Sequence, residues 1–311
     1  MTTETLRVRA AEAAPVTGSA LSEIGWVAYR SLLRVSRTPI VLFFSLMMPL
    51  MWLLLFSQTF GSVVGRGMAL PGAAPLPYDF VAILLPGIAT MTAIQSASQS
   101  GFGMVADIES GYMDKFFVSP MRRSSVLLGK LLADGLRIAV QSMLVLAIAW
   151  VMTLLVGWRI PFATGFFGAL LLSVLVALFG VAFSGLSNTV ALRTRSTEAT
   201  MTASFALTFP LLFMSTAMLP AQALPGWVQS IAVVNPVSYL ADASRALILT
   251  GYDWAAIGKA LVAIAIVGAL LNGWRSKRSA RRAAKVTRRS PRPPARSGAV
   301  VAASILSPED L

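Results

Sequence analysis

Residues 40–60 read IVLFFSLMMPLMWLLLFSQTF, a run of apolar and small polar side chains that contains no charged residue. An α-helix rises about 1.5 Å per residue, so about 20 such residues cross the roughly 30 Å hydrocarbon core of a lipid bilayer. The run therefore predicts a helix that spans a membrane.

Five further runs of similar length predict more spans, and the composition of the chain agrees. The 311 residues are 56% hydrophobic and 13% charged. Soluble domains are about 25% charged, which excludes an ordinary soluble protein. The runs are continuous rather than alternating, so they favour helices over a β-barrel. We predict an all-α polytopic membrane protein with six transmembrane helices, at residues 40–60, 80–106, 138–157, 165–192, 200–219 and 255–274.

The positive charges predict how these spans are oriented. Of 26 Lys and Arg residues, 22 lie before span one, around the connections that follow spans two and four, and in the C-terminal tail. Connections rich in Lys and Arg stay in the cytoplasm, so both termini are predicted to be cytoplasmic. We expect a multi-pass protein of a bacterial plasma membrane with a disordered lead (1–20), an interfacial helix (21–39), a six-span domain (40–274) and a basic, disordered tail (275–311).

Residues 21–39 have the pattern of an amphipathic helix. Ser22 is a plausible N-cap, apolar residues follow at helical spacing, and Arg30, Arg34 and Arg37 line another face. Such a helix lies in the cytoplasmic interface, with its arginines near anionic headgroups. Two interpretations stay open: the helix anchors the chain in lipid, or it also contacts a partner protein.

The connection after span two, residues 107–130, is unusually long and mixed in character. It reads DIESGYMDKFFVSPMRRSSVLLGK, with acids, bases and aromatic side chains outside a span. Helix hairpins need only two to eight linking residues, and apolar groups in a charged loop favour a docking surface. The alternative is that the aromatic side chains dip into the bilayer interface.

The connection of residues 220–253, between spans five and six, is predicted to lie outside the cell. It is apolar but broken at Pro225-Gly226 and Asn235-Pro236, each of which is a turn signal. Neither apolar piece reaches the length of a span. We therefore expect short extracellular helices there rather than a seventh span.

Polar side chains inside the spans form a second group of candidate residues. Gln95, Ser98 and Gln99 lie in span two and Asn188 in span four, where such residues let helices hydrogen-bond across a contact. They serve either packing within the chain or a subunit interface or substrate path. Asp134 and Arg137 are one helical turn apart, so the sequence predicts that they pair.

The chain lacks the residues that most enzymes use. It has no His and no Cys, which excludes imidazole and thiolate metal sites, His-based triads and disulfides. The phosphate-binding pattern G-x-x-x-x-G-K-[ST] is also absent. We therefore predict no catalytic, cofactor-binding or metal-binding residues and no ATP hydrolysis by this chain alone. The basic tail lacks a folded module and an aromatic platform, so we expect it to bind lipid rather than nucleic acid.

Several short motifs, in their order and spacing, resemble those of type-2 ABC exporter permeases, particularly the daunorubicin-resistance-like group. Leu-Pro-Gly opens span two, an acidic-Gly pair precedes a Pro-basic turn and a Gly-Lys step, and Asn-Pro and Arg245 precede span six. The resemblance covers roughly residues 21–274, and the basic tail departs from it. The motifs lie at residues 85–87, 109–111, 119–123, 127–130, 224–227 and 235–239.

This resemblance implies the membrane subunit of an ATP-driven exporter of amphipathic drug-like or lipid-like compounds. Two permease chains, identical or sister, would sit over two separate ATPase subunits, which bind ATP and Mg. Two alternatives are a permease for polysaccharide or other lipid export and a membrane scaffold or assembly protein that transports nothing. Contacts with the ATPase are expected from Arg30, Arg34, Arg37, Glu109, Gly111, Phe116, Pro120, Arg122, Arg123, Gly129 and Lys130.

Overall fold

The computed structural model describes residues 19–37, 39–65, 78–110, 123–194 and 196–287. These residues form nine α-helices and one short 3₁₀ turn, with no strand among them, so the predicted all-α fold is confirmed for this part of the chain. The helices are α1 (Ala20–Ser36), α2 (Pro39–Gly65), α3 (Phe80–Glu109), α4 (Arg123–Val156), α5 (Gly165–Thr194), α6 (Thr197–Phe213), α7 (Gly226–Ala232), α8 (Pro236–Leu249) and α9 (Trp254–Thr287).

Helix α3 is the centre of the bundle. It packs against α2, α4, α5, α6 and α8, and its side chains are buried around almost the whole circumference from Phe80 to Val105. A helix that is buried on every side forms the core of its bundle. The largest fully buried side chains, Phe179 of α5 among them, pack around it.

Three helices are long and apolar enough to cross a bilayer. They are α3, residues 128–156 of α4, and α5. The apolar parts of α2 and α9 are shorter, at Phe43–Thr59 and Trp254–Leu270. Large apolar side chains such as Phe43, Met51 and Leu155 are exposed on the outside of the bundle, which suits contact with lipid tails. The architecture is that of a multi-pass membrane protein.

Helix α4 begins earlier than the predicted third span. The helix starts at Arg123 rather than at residue 138, so the predicted Gly129-Lys130 step lies inside it. Leu, Ala, Lys and Arg, which favour helix, occupy nine of the fifteen positions from 123 to 137. A search for apolar runs does not detect a part of a helix that extends beyond the hydrocarbon.

Helix α6 ends at Phe213, whereas the fifth span was predicted to reach residue 219. Residues 214–220 leave the helix, and a 3₁₀ turn (Ala221–Ala223) and the short helices α7 and α8 follow. These are the short helices that the two turn signals predict. Among the described residues, those up to Asn272 form one compact unit and those from Gly273 form a second.

The first part of the tail predicted to be disordered, residues 275–287, is helical, because α9 continues to Thr287. Residues 275–287 are rich in Ala, Arg and Lys, which favour helix, and contain no proline. Residues 288–311 and most of the predicted N-terminal lead, 1–18, lie outside the described residues.

Candidate functional site

Helix α1 packs against the start of α4 at Gly129. A side-chain Cβ at Gly129 would lie 2.7 Å from Val27 Cβ and 2.9 Å from the Ile24 carbonyl oxygen, closer than atoms pack without a shift. A glycine there lets the two backbones approach closely. The predicted interfacial helix is therefore joined to the bundle through one of the residues predicted for coupling.

The opposite side of α1 is open and mixes aromatic and basic character. Trp26 is 68% and Tyr29 is 56% exposed, their rings meet edge to face, and Arg30 is exposed beside them. Amphipathic rings of this kind suit a membrane surface or a protein partner. This exposed surface of α1 is compatible both with anchoring in lipid and with contact with a partner protein.

The end of α3 is tied to α4 next to this joint. Lys130 Nζ lies 3.6 Å from Asp107 Oδ2 and 3.6 Å from Met104 Sδ. The two charged side chains are only 21% and 16% exposed, so water screens the pair little. Glu109 and Ser110, which follow, are exposed. We call this end of the bundle, where α3 ends and α4 begins, the Glu109 end.

The structure places the remaining coupling candidates as follows. Arg37 is exposed just after α1, and Arg34 and Arg123 lie on helices whose side chains are not described at those positions. The described contacts of Gly129 and Lys130 are with other residues of this chain, in α1 and α3. Contact with an ATPase stays a prediction for all of them. The candidates outside the described residues are Gly111, Phe116, Pro120 and Arg122.

A set of buried polar side chains links α3 to α4 and the neighbouring helices, and we call it the polar belt. Arg137 of α4 is its centre. Its Nη1 donates to Gln99 Oε1 at 3.2 Å, and its Nη2 donates to the Ser96 carbonyl oxygen at 2.9 Å. Nη2 also lies 3.6 Å from Asp134 Oδ1, which confirms the pair that the sequence predicted.

From Asp134 the belt continues to α5. Ser100 Oγ donates to Asp134 Oδ2 at 2.5 Å, and Asn188 Nδ2 donates to Ser100 Oγ at 3.3 Å. A hydroxyl has one proton and two lone pairs, so Ser100 can satisfy both contacts at once. Residues of three helices are joined at this point.

The belt also reaches α2 and α6. Ser96 Oγ donates to Gln141 Oε1 at 2.5 Å, and Gln141 Nε2 donates to Ser45 Oγ at 2.6 Å. On the other side, Ser187 Oγ donates to the Ser98 carbonyl oxygen at 3.0 Å and lies 3.3 Å from Ser204 Oγ. Hydrogen bonds therefore connect five helices, from α2 to α6.

The belt holds charge in an apolar bundle without leaving it unpaired. Asp134 and Arg137 lie on the same helix, so each keeps its partner whatever α4 does relative to its neighbours. Charged side chains inside a membrane protein are costly and almost always paired, and they mark functional paths more often than packing. The bonds to Gln99, Ser100 and Asn188 are made between side chains and can exchange.

Part of this belt was predicted from the sequence. Gln99 and Asn188 lie in it, and Ser98 contributes the carbonyl oxygen that accepts from Ser187; Gln95 is half-buried on α3. Ser45, Ser96, Ser100 and Gln141 were not among the predicted site residues. Their signal was a polar residue within an apolar run, which is too common to select four positions without the packing. Whether the selected residues also serve a subunit interface or substrate path stays a prediction.

The acidic side chains of the described residues do not form a cluster. Within them, no three His, Cys, Asp or Glu side chains are grouped so that they could hold a metal ion. The described polar side chains of the belt are engaged with each other and with main-chain oxygens. The arrangement suits hydrogen bonding between the helices of the bundle.

Comparison with known proteins supplies relatives. The sequence profile of the family described as ABC-2 type transporter matches residues 22–249. The chain is 28% identical to the daunorubicin resistance ABC transporter permease protein DrrB1 of Streptomyces coeruleorubidus over 233 residues. This alignment covers 75% of this chain and 77% of that protein.

Two more relatives carry related names. The probable doxorubicin resistance ABC transporter permease protein DrrC of Mycobacterium tuberculosis is 27% identical over 54% of this chain and 58% of its own length. The probable multidrug ABC transporter permease YbhR of Escherichia coli is 23% identical over 55% of this chain and 45% of its own length. The family match spans most of the chain and agrees with the sequence motifs and the helical bundle, so the chain belongs to the ABC-2 type transporter family, as a permease subunit of an ABC transporter.

Proposed function

We propose that this chain is the permease subunit of an exporter that moves amphipathic drug-like or lipid-like compounds and is driven by a separate ATPase. The observation that carries the proposal is the linkage at the Glu109 end. There α1 is joined to α4 at Gly129, and α3 is tied to α4 by Lys130 and Asp107. A force applied to this end reaches the two helices that carry most of the polar belt.

The proposal includes a topology. Helices α2 to α6 and α9 are the six spans, both termini are cytoplasmic, and the Glu109 end faces the cytoplasm of a bacterial cell. The distribution of Lys and Arg supports this orientation, because 22 of 26 lie on the side that it assigns to the cytoplasm. Helices α7 and α8 then lie on the outer side.

Membership of the family supports the proposed partners. Two ATPase subunits that bind ATP and Mg, and a second permease chain, identical or sister, complete the transporter. The ATPases contact the open side of α1, the exposed Glu109 and the segment that follows it. Relatives named for daunorubicin, doxorubicin and multidrug transport support an amphipathic substrate.

Isolation of the tagged chain in mild detergent tests the assembly. We expect a separate ATPase subunit to co-purify, the complex to hydrolyse ATP, and the chain alone to have no ATPase activity. Cells that produce the complex should export daunorubicin in an ATP-dependent manner. A chain that transports while purified free of any ATPase would contradict the proposal, and a complex without transport would favour a scaffold.

Substitution of Glu109 tests the coupling surface. Glu109→Gln removes one exposed charge at the proposed ATPase contact, so ATP-dependent daunorubicin export should fall by about threefold while the complex still assembles. Glu198→Gln is the matched control, because Glu198 is also exposed on the proposed cytoplasmic side but lies in the first turn of α6. Equal export by both variants would remove Glu109 from the contact.

A further inference from the structure

The segment that follows α6 is buried although it is not helical. Ser215, Thr216 and Ala217 follow Phe213 and are at most 4% exposed. The last four carbonyl groups of a helix have no partner within it, and an unpaired main-chain group is costly in an apolar interior. Something else must therefore satisfy these oxygens.

Asn235, directly before α8, supplies two of the missing donors. Its Nδ2 donates to the Leu211 carbonyl oxygen at 2.6 Å and to the Met214 carbonyl oxygen at 2.8 Å. Its Oδ1 accepts from the Val237 amide at 3.0 Å and so caps the start of α8. One buried side chain thus closes the end of one helix and begins another.

Arg245 supplies a third donor from the next turns of α8. Its Nη2 donates to the Thr216 carbonyl oxygen at 2.6 Å, and its Nη1 donates to Asp242 Oδ1 at 2.9 Å. Thr216 Oγ1 donates to the same carboxylate oxygen at 2.8 Å. Burial lowers the pKa of Arg245, and the charge of Asp242 opposes that effect. We call Thr216, Asn235, Asp242 and Arg245 the α6–α8 clamp.

Helix α3 closes the clamp from behind. A Cβ at Gly87 of α3 would overlap the Ala217 carbonyl oxygen, so the backbone of residues 214–220 lies directly against that helix. The segment is held between α3 on one side and α8 on the other.

The clamp and the polar belt differ in how many main-chain hydrogen bonds would be lost if the helices shifted against one another. The belt is made mostly of side chains that can exchange partners, on helices whose main chain is bonded internally. The clamp bonds satisfy main-chain oxygens at Leu211, Met214 and Thr216, for which the described part of the chain provides no other donor. Opening the clamp would strand these oxygens, whereas shifting the belt would not.

We propose that Asn235 and Arg245 are positioning residues for transport, which hold the end of α6, residues 214–220 and α8 together as one rigid body throughout the transport cycle. The helices then shift against one another in the polar belt and not at the clamp. This inference rests on the proposed function, because it needs an ATP-driven cycle.

A disulfide across the clamp tests the proposal. The chain has no native cysteine, so only the introduced pair can form a disulfide within it. Ser238 Oγ lies 3.3 Å from the Thr216 amide, so Thr216→Cys with Ser238→Cys places a cysteine pair across the clamp. The pair removes the Thr216 hydroxyl but keeps the carbonyl oxygen of residue 216 and leaves Asn235, Asp242 and Arg245 in place, and export by the reduced double variant is the reference. In the complex with its ATPase, we expect equal disulfide yields without nucleotide and after trapping with MgATP and vanadate. Daunorubicin export by the oxidised form should stay within about twofold of the reduced form.

Export that stops on oxidation and returns with a reductant would overturn the proposal, as would a disulfide yield that falls on trapping. This failure differs from failure of the proposed function. In that case the reduced protein and the unaltered chain would also show no ATP-dependent export.

Asn235→Asp separates the two roles of Asn235. It keeps an oxygen to cap α8 but loses both donors to the end of α6, so export should fall by about tenfold or more in a complex that still assembles. Asp253→Asn is the matched control, because Asp253 Oδ1 caps α9 by accepting from the Ala255 and Ala256 amides. Its export should stay within about twofold of the unaltered chain. Normal export by Asn235→Asp would overturn the role given to Asn235.

Discussion

At the scale of single residues, Asp134 and Arg137 show how the chain keeps ions in an apolar bundle. The two lie one turn apart on α4, so they pair before any tertiary contact forms. The sequence was enough to predict this pair, because the spacing along one helix is fixed. It was not enough to predict Ser100 or Gln99 as further partners, since those contacts depend on how α3 packs against α4.

Replacing one member of this pair should lower the free energy of unfolding far more than replacing both. Asp134→Asn leaves a buried guanidinium without its carboxylate, and we expect a loss of about 3 kcal/mol or more in the free energy of unfolding. The double variant Asp134→Asn with Arg137→Gln should recover most of that loss. Thermal unfolding of the purified chain in detergent measures both.

Arg159→Gln is the control for this series, because the Arg159–Asp79 pair is exposed, with Arg159 at 67%. It should cost less than about 1 kcal/mol. A double variant that is less stable than Asp134→Asn alone would contradict the account of a self-neutralised pair.

Gly129 offers a second test at a single position. Gly129→Ala forces α1 away from α4, and overpacking of this kind costs about 1–3 kcal/mol. Gly25→Ala on α1 is the matched control, since its Cβ would meet nothing within 4 Å and alanine is the better helix former. The readout is the rate at which a protease cleaves α1 in detergent, which should rise only for Gly129→Ala.

At the scale of elements, hydropathy located the helices but not all of their ends. The start of α4 at Arg123 and the end of α6 at Phe213 both differ from the apolar runs. Hydropathy reports what favours hydrocarbon, whereas the ends are set by capping. For α6 the cap comes from Asn235, which lies on another element, so no local pattern near residue 213 reveals it.

The close contact of α3 with residues 214–220 gives a prediction at this scale. Gly87→Ala places a methyl group on the Ala217 carbonyl oxygen, so the segment must move and thermal stability in detergent should fall by at least about 1–3 kcal/mol. Gly103→Ala lies on the same helix, where a Cβ would meet nothing within 4 Å. It should be neutral or slightly stabilising. Equal effects of the two substitutions would contradict the packing described.

At the scale of the whole molecule, the sequence predicted the class of protein better than it predicted the hydrogen bonds between the helices. Composition, apolar runs and motif order led to an all-α membrane protein and to the correct family. The polar belt and the α6–α8 clamp join residues far apart in the chain, such as Ser45 with Gln141 and Leu211 with Asn235. Only the packing of the bundle brings such residues together.

The proposed topology predicts which residues can be labelled from outside an intact cell. A cysteine at Gln222, exposed in the 3₁₀ turn, should react with a maleimide that cannot cross the membrane. A cysteine at Thr197, exposed at the start of α6, should react only after the cell is permeabilised. The unaltered chain is the blank, because it has no cysteine. The reverse pattern would invert the orientation.

The α6–α8 clamp also bears on the order in which the chain is made. Asn235 is synthesised after α6, so the Leu211 and Met214 carbonyl oxygens depend on donors that are encoded later in the chain. A nascent chain stopped before residue 235 would carry two unpaired main-chain groups at the end of an apolar helix. The end of α6 is therefore completed only when the chain has been made as far as the start of α8.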